Sequence, residues 1–315
     1  PHLRPQPLRL PAPKPPRRLQ ARQRRLRPSG FLFPAGNVKL AKSLASAREY
    51  CARAGRPLVL VPTMGALHDG HAALIRRARK LAGEQGTVVV SVFVNPAQFG
   101  PNEDYLKYPR SLRHDLEICK QCGADLVFSP SAARMYFEDR SVFVNEDSMS
   151  RGLCGASRPG HFRGVCTVVA KLFLIARPNI AIFGEKDWQQ LAIIRRMVRD
   201  LNFSIRIVGH PTVREADGLA VSSRNNYLTP QERAVAPGIY AALRAAAAGK
   251  RVADILKAGR RMIEEIPGAR LDYLELVDAE TIVPARDFRR PMRLAAAVFL
   301  GKARLIDNIP VLPRS

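Results

Sequence analysis

The 315-residue sequence predicts an α/β fold: a Rossmann-like parallel sheet followed by a smaller C-terminal α+β lid domain. Three observations carry that expectation. Short apolar runs alternate with amphipathic stretches from residue 57 to about 208; Gly-bearing polar motifs follow the ends of several of those runs; and the pattern changes after about Thr212. Short buried strands separated by helical stretches require crossover connections, hence a parallel sheet.

The elements follow in order. LVLV at 58–61 reads as a buried strand, and residues 71–81 place Leu74, Ile75, Ala78 and Leu81 on one helical face. TVVVSVFV at 87–94 is a second strand, 110–122 a helix, 125–128 a strand and 165–176 an apolar helix. A strand at 180–183, a helix at 189–201 and a strand at 204–208 close the series. Beyond 212 a polar segment, VREADGLAVSSRNNYLTP, leads to an Ala-rich helix near 234–248, a helix at 252–265, and strands at 271–277 and 295–300. The expected organisation is a disordered basic extension over 1–36, a Rossmann-like domain over 37–212 and a lid domain over 213–315.

Composition narrows the function classes. Lys and Arg number 51 against 27 Asp and Glu, a net charge of +24, and 46% of residues are hydrophobic. That apolar fraction excludes wholesale disorder, and no window approaches 18 uninterrupted apolar residues, which argues against a membrane span. Half of the excess charge lies before Glu49, where twelve Lys/Arg meet no acidic residue. The opening Pro/Arg-rich stretch offers too little apolar area to offset chain entropy. Three readings of it compete: a tail that binds nucleic acid or an anionic surface through phosphate contacts, a targeting peptide, or an extension from translation upstream of a start near Val38. Five cysteines fit reduced thiols in a cytoplasmic protein better than a secreted disulfide framework.

Four segments carry chemistry. PTMGALHDGH, at 62–71, leaves a strand and opens a helix. Helix N-termini present unpaired N–H groups that suit phosphate, and His68 and His71, three residues apart, can both face the ligand. A cap or a solvated side chain is the alternative for either His alone. FGEKDWQQ, at 183–190, again leaves a strand; Lys186 is a point charge for phosphate, while Asp187 and Gln190 could equally cap the helix. In VSSRN, at 221–225, Ser222, Ser223 and Arg224 resemble a polyphosphate clamp, set against an ordinary Ser-rich turn. In FVNPAQF, at 93–99, Asn95 and Gln98 between two Phe can hold a small polar acid, set against an Asn-Pro turn.

Taken together and in this order, these segments and GHFRGVCTVVAKL, at 160–172, resemble the pantoate–β-alanine ligase family over roughly residues 37–315. HxGH alone is shared with many nucleotidyltransferases. The chain departs from the family pattern at Cys166, Trp188 and Val221, none of which removes a polar group. The resemblance implies ATP-dependent condensation of pantoate with β-alanine through a pantoyl adenylate, releasing pyrophosphate and then AMP. It implies His68 and His71 at the α/β-phosphates, His71 as a proton donor, and Lys186, Ser222, Ser223 and Arg224 around the triphosphate. Gly65, Gly184, Asp187 and Val213 would line the adenosine site, with Met64, Glu185 and Val221 in the nucleotide-binding set. Gln98 and Gln190 would grip pantoate with Asn95 and Met64 beside them. Mg²⁺ would ride on the ATP phosphates without a dedicated protein site, and the family is typically a homodimer.

Two rivals remain at this level. A nucleotidyltransferase acting on a phosphorylated acceptor would share HxGH and the fold, but would be expected to lack FVNPAQF and VSSRN together. A basic binding protein would use the tail, but the body shows no nucleic-acid-binding signature. Cys119 and Cys122 have the spacing of a zinc or thiol-exchange pair but lack a second close pair, so free thiols are expected.

Overall fold

The computed structural model describes residues 37–101 and 103–314; the extension expected over 1–36 lies outside them. In chain order the first part comprises β1 (Lys39–Ala41), α1 (Leu44–Arg53), β2 (Leu58–Thr63), α2 (Asp69–Ala82), β3 (Thr87–Val92), α3 (Leu112–Gln121) and β4 (Leu126–Phe128). Two single-turn helices follow, α4 (Ala132–Met135) and α5 (Cys154–Ser157), then α6 (His161–Ala176), β5 (Ile180–Gly184), α7 (Trp188–Asp200) and β6 (Arg206–His210).

These strands form one sheet in the order β1-β4-β3-β2-β5-β6, with every neighbouring pair parallel. All of β3, and all of β2 except Pro62, is buried, as a sheet covered on both faces requires. The two-residue period of β2 divides its side chains: Leu58 and Leu60 pack with α1, α6 and α7, whereas Val59 and Val61 pack with α2 and α3. Each buried aliphatic side chain contributes about 1.5–3 kcal/mol. Strand order reverses at β2: β3 and β4 lie on one side, β5 and β6 on the other. The carboxyl ends of β2 and β5 therefore flank the crevice where such sheets bind ligands.

The C-terminal part adds α8 (Pro230–Val235), α9 (Gly238–Ala246), α10 (Val252–Glu264) and an antiparallel sheet of β7 (Ala269–Asp278), β8 (Met292–Leu300) and β9 (Ala303–Val311). One face of that sheet packs on these helices through Leu274, Leu276, Leu294 and Ile309; Val277 and Ala295 pack instead against the core under α6 and α7.

Several elements differ from the sequence expectation. The Ala-rich helix is two helices, because Pro237 lacks the N–H that a continuous helix needs. β1, α1 and β9 were not anticipated: β1 has three residues, and β9 interrupts its apolar alternation with Asp307, Asn308 and Pro310. α6 begins at His161 rather than 165, so its first turn carries polar groups inward.

Candidate active site

The exit of β2 is held by polar contacts from two other elements. Thr63 Oγ1 donates to the Ser91 carbonyl at 2.7 Å and accepts from the Gly65 N–H at 3.2 Å. Gly65 turns with φ 85°, and a Cβ there would stand 2.9 Å from Asp115 Oδ2. Asp115, only 1% exposed on α3, accepts from Ala66 N at 3.2 Å and Leu67 N at 2.8 Å. Burial pushes its carboxyl pKa up, while those two N–H groups hold it down.

This loop delivers His68 as the N-cap of α2, with His71 in the first turn. His68 Nδ1 accepts from Gly70 N at 3.2 Å, which leaves the ring hydrogen on Nε2. The two ring centroids are 4.1 Å apart. Burial, then the charge of Lys186, lowers the His68 pKa to about 4; burial, then His68 and Lys186, lowers that of His71 to about 3. Both imidazoles are therefore neutral at pH 7, and His71 Nδ1 is buried without a partner.

The exit of β3 carries the amide pair. Asn95 spends all its capacity inside the protein: Nδ2 donates to Gln98 Oε1 and to the Gly164 carbonyl, both at 3.1 Å, and Oδ1 accepts from Ala97 N at 3.2 Å and Tyr136 OH at 2.8 Å. Asn95 thereby turns the Gln98 amide so that Nε2 faces Met64, 2.8 Å from its sulfur. Behind Gln98, His161 Nδ1 donates to its carbonyl at 2.8 Å, and Arg158 meets His161 Nε2 at 3.1 Å. Guanidinium can only donate, so this imidazole is neutral; burial, then Arg158, lowers its pKa to about 4. Glu103 anchors Arg158 through two contacts of 2.8 and 2.6 Å. The first turn of α6 passes so close to Pro96–Gln98 that any side chain at Gly164 would overlap the Ala97 carbonyl.

The exit of β5 is a 3₁₀ turn, Glu185–Asp187, in which Lys186 Nζ lies 3.9 Å from Asp187 Oδ2. A second 3₁₀ turn, Ser223–Tyr227, starts where Ser222 Oγ accepts from Arg224 N at 3.3 Å; the Arg224 guanidinium reaches Asp104 at 3.5 Å.

These exits enclose one cleft of about 220 Å³. His68, His71, Lys186, Asp187, Ser222, Ser223 and Arg224 line it, with Met64, Gly184, Val213 and Val221. Gln98, Gln190 and Asn95 face the same space, whose apolar wall is Phe93, Val165, Val169, Leu172 and Phe183. Two expected residues are not brought in. Gly65 lines a neighbouring hollow with Val92 and Asp115, where it shapes the turn, and Gly70 stands in the cleft instead. Glu185 turns its carboxylate to Arg293 at 2.9 Å. A chamber of about 600 Å³ adjoins the cleft, sharing Lys186, Asp187, Gln190, Ser222 and Arg224 and bounded on its far side by Tyr273, Arg304 and Asp307.

Asp115, Arg158, His161 and Tyr136 escaped the sequence reading because they act behind the residues that face the cleft. Asp115 had a signal: an acid on the same helical stripe as Cys119 and other apolar residues of α3. Cys119 and Cys122 are buried free thiols, and burial pushes Cys119 up to about 12.

The family model for Pantoate-beta-alanine ligase matches residues 38–310. The chain is 56% identical over 256 residues to the pantothenate synthetase of Akkermansia muciniphila, covering 80% of this chain and 91% of that protein. It is similar to the crystal structure of pantothenate synthetase from Thermus thermophilus, with TM-score 0.83 and 47% identity over 88% of this chain and 100% of that one. The pantoate-beta-alanine ligase from Francisella tularensis, solved in complex with beta-gamma ATP and beta-alanine, gives TM-score 0.72 at 34% identity over 86% of this chain and 97% of that one. With its Rossmann-like sheet, its HxGH cleft and these relatives, the chain belongs to the pantoate–β-alanine ligase family, the pantothenate synthetases.

Proposed function

We propose that this cleft joins pantoate to β-alanine in two steps at the expense of ATP. In the first, a pantoate carboxylate oxygen bonds to the α-phosphorus and the bond to the β-phosphate bridge breaks, so pyrophosphate leaves with the electron pair. In the second, the β-alanine amine bonds to the activated carbonyl carbon, the acyl–oxygen bond to AMP breaks, and the nitrogen loses a proton. The observation that supports this reading best is convergence: two imidazoles, one ammonium and a Ser-Ser-Arg loop border a single cleft that also holds three side-chain amides and an apolar wall.

Roles follow from position. His68 and His71, neutral in the free enzyme, serve as N–H donors to phosphoryl oxygens on which charge builds. Lys186, Ser222, Ser223 and Arg224 neutralise the triphosphate and the departing pyrophosphate. Gly184, Asp187, Val213 and Val221 border the adenosine. Gln98 presents its amide nitrogen, and Gln190 its side chain, to the hydroxyls and carboxylate of pantoate, whose methyl groups meet Val165, Val169 and Leu172. The adjoining chamber gives β-alanine its approach, and closure of the 213–315 unit over the nucleotide shields the acyl adenylate from water. Asp187 is the sole carboxylate bordering the cleft among the described residues, which suits an Mg²⁺ held chiefly by ATP phosphates rather than by a protein cage. The enzyme works in the cytoplasm as a homodimer, for which Phe137 and Val142, 73% and 84% exposed, offer apolar surface; sedimentation at micromolar concentration tests this.

The reaction itself is tested by adding substrates separately. Pyrophosphate release should require pantoate and ATP only, and AMP release should require β-alanine as well. Pyrophosphate release that needs β-alanine would contradict the two-step order.

A further inference from the structure

The turn that carries Lys186 is secured from outside its own sheet. Asn308, on β9 and 5% exposed, donates from Nδ2 to the carbonyls of both Glu185 and Lys186, each at 2.9 Å. Its own orientation is fixed: its Oδ1 accepts from Arg293 Nη1 at 3.2 Å, and its N–H donates to Asp307 Oδ1 at 2.7 Å. Arg293 also pairs with the Glu185 carboxylate at 2.9 Å and lies over the Trp188 ring at 3.5 Å. Asp307 in turn holds Arg214 through contacts of 2.7 and 2.8 Å. The turn Glu185–Asp187 has no side-chain cap of its own.

We propose that Asn308 is a positioning residue that aims Lys186 at the triphosphate, by clamping the two carbonyls on either side of the Lys186 amide. The C-terminal sheet then shapes the phosphate site directly, and any closing movement of that sheet carries the ammonium with it. Two consecutive peptide groups joined to one buried amide fix the orientation of the turn; without the clamp, both carbonyls lose that buried side-chain donor and the turn loses its tie to β9. Among the described residues, Gln98 and Gln190 share no hydrogen bond with Asn308, Arg293 or Asp307, so pantoate recognition is not expected to depend on the clamp.

The inference rests on the reading of Lys186 as a phosphate contact, and the experiment separates the two. Pyrophosphate release from pantoate and ATP is measured for full-length Asn308→Asp, Lys186→Ala and the double variant, beside thermal melts. Asn308→Asp keeps the side-chain volume but replaces the two-hydrogen donor with an acceptor facing two carbonyls. The expected result is a fall of about 10-fold or more in maximal rate, a pantoate KM within about twofold of wild type, and a further change of less than about twofold when the substitution is made in Lys186→Ala. Should Asn308→Asp fail to fold, Asn308→Ser, which cannot reach both carbonyls, carries the same comparison. Folded Asn308 variants with wild-type rate, or effects that multiply fully with Lys186→Ala, would overturn the role of Asn308 alone. Wild-type rate in Lys186→Ala would instead remove the role of Lys186, and that of Asn308 with it.

Discussion

The imidazoles of His68 and His71 stand 4.1 Å apart, tilted by 36°, at the first turn of α2. Two cations that close would repel, and burial disfavours charge on either. Burial, then Lys186, lowers the His68 pKa to about 4, and burial, then His68 and Lys186, lowers that of His71 to about 3. In the free enzyme neither ring should take up a proton between pH 8 and 5.5. An NMR titration of the ring carbons checks this, with the resonances assigned by loss in His68→Asn and His71→Asn. A midpoint near the ordinary value of 6.5 for either ring would contradict the close, buried arrangement.

Removing one of these donors should be costly for chemistry and cheap for binding. His71→Ala is expected to slow adenylate formation by about 10² or more, the scale of one preorganised contact to developing charge. Single-turnover pyrophosphate release is the measurement, and near-wild-type turnover would take His71 out of the mechanism.

Gln98 should separate in the opposite sense. Asn95 fixes its amide with the nitrogen toward Met64 and the cleft, so Gln98→Ala should raise the pantoate KM while leaving ATP affinity nearly unchanged. An unaltered pantoate KM would contradict the pocket assignment.

His161 ties acid stability to the same region. Its folded pKa of about 4 lies below the ordinary 6.5, so between those values the unfolded chain binds a proton that the folded chain does not. Its contribution is therefore complete above pH 6.5 and declines as pH falls toward 4. From pH 7 to 5 the loss is about 2 kcal/mol for one such imidazole. Urea unfolding of His161→Gln at both pH values should show a correspondingly smaller drop than wild type.

Asp115 supports the HxGH loop without touching the cleft. Asp115→Ala leaves the buried Leu67 N–H and the Ala66 N–H without an acceptor. The expected cost is about 1–3 kcal/mol in unfolding free energy, with slower adenylation because His68 follows directly on that loop. A variant of unchanged stability and rate would show that the loop holds itself.

The parallel sheet was legible because β2, β3 and β5 are buried on both faces, and such strands write themselves as unbroken apolar runs. The residues at their exits were legible as motifs, and most of them meet in one cleft. What could not be read is how far apart in sequence their supports lie. Asn308 reaches Lys186 across 122 residues and Tyr136 reaches Asn95 across 41; no local pattern encodes such pairs. Gly164 lay outside the helix expected over 165–176, yet it is the point where α6 meets the turn bearing Gln98. β9 was missed because Asp307 and Asn308, the residues that break its pattern, are those turned toward Arg214 and the Lys186 turn.

The central claim is that the pantoate carboxylate attacks the α-phosphorus in this cleft. It is tested most directly with pantoate labelled with ¹⁸O in both carboxylate oxygens, followed by mass analysis of the products. One ¹⁸O per AMP, one retained in the amide product and none in pyrophosphate is the predicted result. Label in pyrophosphate or orthophosphate, or AMP free of label, would contradict it.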